Sequence, residues 1–182
     1  ENIELVASTL KNELPDSVLV GAIPLDPFLG NPSLKEIVEQ IDGKVLFGEE
    51  YINNPVSNFK VGAMQLRNYL THLKEDGLVI TPGDRADIIL GALQANMSNN
   101  YPRISGIVLS GGLMPEASIT KLIEGLSDVV PIVSVNEDTF DIVNKIGAIK
   151  PKIYAENDQK IIASIQNFSK YIPARFIIVL PV

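Results

Sequence analysis

The chain has 182 residues, enough for one ordinary domain with a buried core, or for one domain with part of a neighbour. Its formal net charge of -7 disfavours the phosphate backbones of nucleic acids and anionic membrane surfaces. The absence of cysteine excludes disulfides and thiolate metal sites, and a single histidine, His72, excludes a multi-histidine centre.

Residues 1–13 carry apolar Ile3, Leu5, Val6 and Leu10 at helical spacing, and Pro15-Asp16 breaks that helix. A buried strand is expected over Val18–Ile23. Pro24-Leu25-Asp26-Pro27 is a loop, because each proline pushes its predecessor out of helical geometry. Ser33 and Glu36 form a capping box that opens a helix ending near Ile41. Asp42-Gly43 turns the chain into a short strand, Lys44–Phe47, and Asn53-Asn54-Pro55 marks a domain boundary. Past it, strands and helices alternate: strand Val56–Val61, helix Met64–Leu73, strand Leu78–Thr81 and helix Asp84–Asn96. Then come strand Gly106–Leu109, helix Glu116–Leu126 with Pro115 in its first turn, and strand Pro131–Val135. Helix Thr139–Ile146, with Gly147 as its C-cap, and helix Asp158–Tyr171 complete the series. The apolar residues are mainly Ile, Val, Leu and Ala, which suits parallel strands buried on both faces. The alternation predicts right-handed βαβ units in a three-layer α/β/α fold with a mainly parallel sheet.

Three junctions follow strands and precede helices: Gly83-Asp84-Arg85, Ser110-Gly111-Gly112 and Asn136-Glu137-Asp138-Thr139. A parallel sheet brings such strand ends side by side, where open α/β folds bind ligands. Gly83 permits a sharp turn, and Asp84 is placed to cap the next helix. Arg85 in a first helical turn opposes the helix dipole and needs a compensating partner: Asp87, a ligand anion or another subunit. An ordinary helix start with a salt bridge and a binding or interface role both fit. Gly111 and Gly112 offer either a tight βα turn or backbone N–H groups that cradle an anion. Asp138 and Thr139 read first as a helix cap. His72 sits near a helix end with no nucleophile or carboxylate beside it in sequence, so it reads as structural. The chain carries no Gly-x-x-x-x-Gly-Lys-Ser/Thr, Gly-x-Gly-x-x-Gly, Gly-x-Ser-x-Gly or His-Glu-x-x-His pattern.

From Val56 to Tyr171 the chain resembles a DRTGG domain. Asp84-Arg85 match the first piece of that motif, and Ser110-Gly111-Gly112 match the second with serine in place of threonine. Val61-Gly62-Ala63-Met64, Leu78–Arg85 and Asp138-Thr139-Phe140 match its surroundings. This order is similar to the middle of long phosphate acetyltransferases. Residues 18–46 look like the end of a preceding P-loop domain resembling dethiobiotin synthetase. The resemblance implies regulation and subunit contacts rather than catalysis.

The expectations are therefore a remnant α/β domain over 1–52 and a DRTGG domain over 53–182, the whole a piece of a longer polypeptide. Function is expected to be non-catalytic: a regulatory or oligomerisation domain, cytoplasmic and homodimeric, answering a small anionic ligand such as a nucleotide. The alternative is a fragment of an acyl-phosphate transferase. Asp84, Arg85, Ser110, Gly111, Gly112, Asp138 and Thr139 are the expected ligand or interface residues. No catalytic residue, metal, cofactor, nucleic acid or membrane partner is assigned.

Overall fold

The structure is a computed structural model that describes residues 2–15, 22–155 and 157–172. In chain order the elements are α1 (Ile3–Glu13), α2 (Pro27–Gly30), α3 (Leu34–Gln40), β1 (Lys44–Phe47), β2 (Asn58–Val61), α4 (Leu66–Tyr69), β3 (Gly77–Pro82) and α5 (Ala86–Met97). They continue with β4 (Ile104–Ser110), α6 (Ala117–Glu124), β5 (Ile132–Ser134), α7 (Thr139–Gly147) and α8 (Asp158–Tyr171). The first four residues of the strand expected at Val18–Ile23 lie outside the described residues. Contacts divide the chain into two units, one of residues 1–30 with 152–182, the other Asn31–Pro151.

In the smaller unit, α1 and α8 each begin at an asparagine cap. Asn2 accepts from the Leu5 N–H and Asn157 from the Lys160 N–H. Asn167 of α8 donates to Asp26 Oδ2 at 3.3 Å.

The larger unit holds a five-stranded sheet in the order β1-β5-β4-β3-β2. β2 through β5 run parallel, and β1 closes one edge antiparallel to β5. Period-two alternation sends side chains to both faces. Val79, Ile107, Leu109 and Ile132 join Ile88, Ile89 and Ala92 of α5 and Ile123 of α6 in one core. Leu78, Ile80, Val108 and Val133 join Ile37 and Val38 of α3 and Ile142 and Ile146 of α7 in the other. Helices on both faces of a mostly parallel sheet make the three-layer α/β/α fold. Each Leu or Ile fully buried this way contributes roughly 1.5–3 kcal/mol.

Several local expectations give way. The helix expected over Met64–Leu73 is the short α4 followed by a 3-10 turn, Leu70–His72, and His72 is exposed. Gly147 ends α7 rather than capping it; the cap is Ala148, with φ -87°, so no left-handed residue is needed there. The Asn53-Asn54-Pro55 segment is stitched to the start of α3. Leu34 N–H donates to Asn54 O at 2.9 Å, Lys35 N–H to Ile52 O at 2.8 Å and Val56 N–H to Pro32 O at 2.9 Å. α3 and β1 stand in the sheet-bearing unit with everything from Val56 to Pro151.

Candidate functional site

The carboxyl ends of β3, β4 and β5 lie side by side, with Pro82 opposite Ser110 and Leu109 opposite Ser134. The three loops that follow therefore open on one edge, and contacts tie them to each other. A Cβ added to Gly83 would fall 1.8 Å from the Leu113 carbonyl oxygen, so the loop after β4 packs on the turn after β3 at a distance only glycine allows. A Cβ on Gly112 would lie 3.3 Å from Asn136 Oδ1. Ser110 Oγ and Thr139 Oγ1 share a hydrogen bond of 2.7 Å, linking the end of β4 to the first turn of α7.

Gly111 and Gly112 take positive φ values of 80° and 64°, which is why the motif needs glycines. Their N–H groups do not face an open cradle. Gly111 N–H donates to Glu137 O at 2.7 Å, and Gly112 N–H donates to Val135 O at 2.8 Å. Each N–H carries one hydrogen, so these two donors are spent on fixing the loop against the chain leaving β5.

Asp84 is exposed and does not cap α5. The N-cap is Arg85, at φ -85° and ψ 67°, without a side-chain cap hydrogen bond. The turn places Asp84 one residue too early, and Asp87 supplies the acid of the first helical turn instead. Arg85 meets Asp87 in a two-pronged pair, Nε to Oδ1 and Nη2 to Oδ2, both at 2.9 Å. The same guanidinium donates from Nη1 to Gly62 O at 3.2 Å and from Nη2 to Met64 O at 3.1 Å. Arg85 therefore clamps the loop leaving β2 onto the start of α5. Hydrogen bonding to Asp87 raises the Arg85 pKa, and the same bond holds the Asp87 carboxyl below its usual range.

Asp138 caps α7, accepting from the Phe140 N–H at 2.9 Å and the Asp141 N–H at 3.0 Å. Glu137 pairs with Lys145 at 2.6 Å, a bond that raises the lysine pKa.

The seven expected residues thus share one edge, but mostly as internal ties. Beside exposed Asp84, Asn136 and Asp138, this edge also turns large apolar side chains outward: Met64 after β2, Leu113 and Met114 after β4, and Phe140 at the start of α7 are 40%, 43%, 54% and 73% exposed. Sequence reasoning did not select these four as site residues. The available signal was large apolar side chains in the very loops that a parallel sheet brings to one edge. Among the described residues no helix is long and apolar enough to cross a membrane.

The pattern of the DRTGG domain matches residues 36–149. The chain is 35% identical over 174 residues to phosphate acetyltransferase of Nitratidesulfovibrio vulgaris, covering 94% of this chain and 25% of that protein. It is 39% identical over 156 residues to phosphate acetyltransferase of Synechocystis, covering 85% of this chain and 22% of that protein. The chain thus spans about a quarter of the length of these curated relatives. Among solved structures it is similar to the CBS and DRTGG domains of the regulatory region of Clostridium perfringens pyrophosphatase, complexed with the activator diadenosine tetraphosphate. There the TM-score is 0.53 at 17% identity, covering 84% of this chain and 66% of that one, a likeness of fold.

Proposed function

This chain belongs to the DRTGG domain family, and from that premise we propose that it is a non-catalytic regulatory and oligomerisation domain of a phosphate-acetyltransferase-like protein. It pairs with a second copy through the carboxyl edge of its sheet. One observation carries this reading. The polar groups that would have cradled an anion are consumed inside the chain, while Met64, Leu113, Met114 and Phe140 remain outward on the same edge. Exposed apolar groups clustered on one edge favour a protein contact over a phosphate site. Asp84, Arg85, Ser110, Gly111, Gly112, Asp138 and Thr139 are then the frame that shapes the contact edge.

A small anionic effector such as a nucleotide belongs to the same reading as the input to this domain. The support is the pyrophosphatase regulatory region, whose solved structure holds diadenosine tetraphosphate. The first 52 residues are read as the end of a P-loop domain resembling dethiobiotin synthetase, with residues 36–52 shared with the matched DRTGG region. A cytoplasmic location goes with this reading.

Size-exclusion chromatography with light scattering, with and without adenine nucleotides, tests it. The expected result is twice the chain mass, with a nucleotide-dependent shift in elution or melting temperature. A monomer at all concentrations, indifferent to nucleotides, would reject it. The identity to phosphate acetyltransferases favours a second reading, an acyl-transfer fragment. An assay of acetyl transfer between coenzyme A and phosphate separates the two, and no turnover is expected.

A further inference from the structure

We propose that the opposite, amino edge of the sheet holds a small-molecule site for an aliphatic amino acid, with Arg103 receiving its carboxylate and Asp128 its ammonium group. The site is a cavity of about 310 Å³. Ile104, the first residue of β4, and Val130, just before β5, line it at 4% and 7% exposure and offer an aliphatic side chain a small apolar contact beside the exposed Tyr51, Arg103 and Asp128. Tyr51, Asn96, Arg103 and Asp128 bring polar groups from four other segments: the 3-10 turn after β1, the end of α5, the residue before β4 and the loop after α6.

Each charged side chain has hydrogen-bond partners within the protein. Arg103 Nη1 donates to the carbonyl of Asn96, and its backbone N–H donates to Glu75 Oε2 at 3.1 Å. Asn96 is fixed in turn, its Oδ1 accepting the Ile104 N–H at 2.9 Å. Asp128 Oδ1 accepts from the Tyr51 hydroxyl at 3.3 Å, and Oδ2 accepts from Ser127 Oγ at 3.4 Å. The Asp128 carboxylate raises the Tyr51 pKa above its ordinary 10.0.

Each charge keeps capacity beyond these ties. A guanidinium has five N–H donors, and a carboxylate about four acceptor positions. Groups anchored before binding lose less entropy when a ligand arrives.

The pairing of charges selects the ligand class. A simple anion would meet Asp128 as well as Arg103, and a simple cation the reverse. A molecule carrying both charges satisfies both. The volume sits near the lower end of about 300–1,000 Å³ for small-molecule pockets, which favours an amino acid over a dinucleotide. The site shares no residue with the contact edge, so each proposal stands or falls alone.

Calorimetric titration of the 182-residue chain with valine and leucine tests the proposal, alongside isovalerate, which lacks the ammonium, and isobutylamine, which lacks the carboxylate. Saturable binding of an amino acid is expected, with each single-charge analogue at least tenfold weaker. Arg103→Gln and Asp128→Asn should each weaken binding at least tenfold, and the Tyr51 ring resonances of the unsubstituted chain should move on titration. Asp128→Asn, which leaves the Arg103 tie to α5 intact, keeps the test decisive if Arg103→Gln fails to fold. No saturable binding, equal binding of isovalerate, or unchanged affinity in a folded variant would overturn it.

Discussion

Gly111 N–H donates to the Glu137 carbonyl at 2.7 Å, across the gap between the loop after β4 and the loop after β5. Gly112 repeats the arrangement one residue on, to Val135. Two consecutive left-handed glycines thus work as a brace between neighbouring strand ends, with their donors turned into the protein. That orientation bears directly on function, because an anion at this edge would find no N–H of Gly111 or Gly112 to bind.

Replacing Arg85 with alanine removes the pair with Asp87 and the bonds to Gly62 and Met64. The side chains are 30% and 48% exposed, so solvent screens much of the ion pair. A loss of about 1–2 kcal/mol is expected, measurable by urea denaturation. Faster amide exchange confined to residues 62–65 should accompany it. Lysine should rescue poorly, since one ammonium cannot reproduce the planar two-pronged contact.

Gly83→Ala places a methyl 1.8 Å from the Leu113 carbonyl oxygen. Backbone cannot yield as a side-chain tip does, so the loop after β4 must shift. A destabilisation of about 1–3 kcal/mol is expected by thermal melting. Gly147→Ala, with no atom within 4 Å of the added carbon and no positive φ, should be neutral or slightly stabilising.

The α/β alternation was legible because buried parallel strands are short apolar runs, such as Leu78–Ile80 and Ile107–Leu109, separated by helical spacing. Caps at Ser33 and Asp138 were legible because their partners lie three residues away or fewer. The rest depends on contacts distant in sequence. Nothing local in Lys44–Phe47 says that it pairs antiparallel with Ile132–Ser134. Likewise, Asn53-Asn54-Pro55 has the composition of a linker, yet Asn54 O and the preceding Ile52 O receive the first N–H groups of α3, those of Leu34 and Lys35. At the site, the edge shared by Gly83, Gly111 and Asn136 followed from topology. The inward aim of the glycine donors did not, because that depends on the path of residues 135–137.

Alkaline pH should unfold the protein partly through Tyr69. Burial pushes its pKa from 10.0 to about 12, so the folded state keeps the phenol proton where the unfolded chain loses it. The contribution is fully present below pH 10 and is lost as pH rises from 10 to about 12. Tyr69→Phe should flatten that stretch of the stability profile. Acid acts through Asp87, whose lowered pKa gives stability present above its ordinary 3.8 and lost as pH falls below it. Asp87→Asn should remove that component.

Sedimentation equilibrium of the unsubstituted chain beside Phe140→Asp and Leu113→Asp bears most directly on the role of the carboxyl edge. These side chains are 73% and 43% exposed, so the substitutions leave the folded core intact. A dimer for the unsubstituted chain and monomers for both variants, with unchanged circular dichroism, is the expected result. A dimer that survives both substitutions, or an unsubstituted chain that never dimerises, would contradict it.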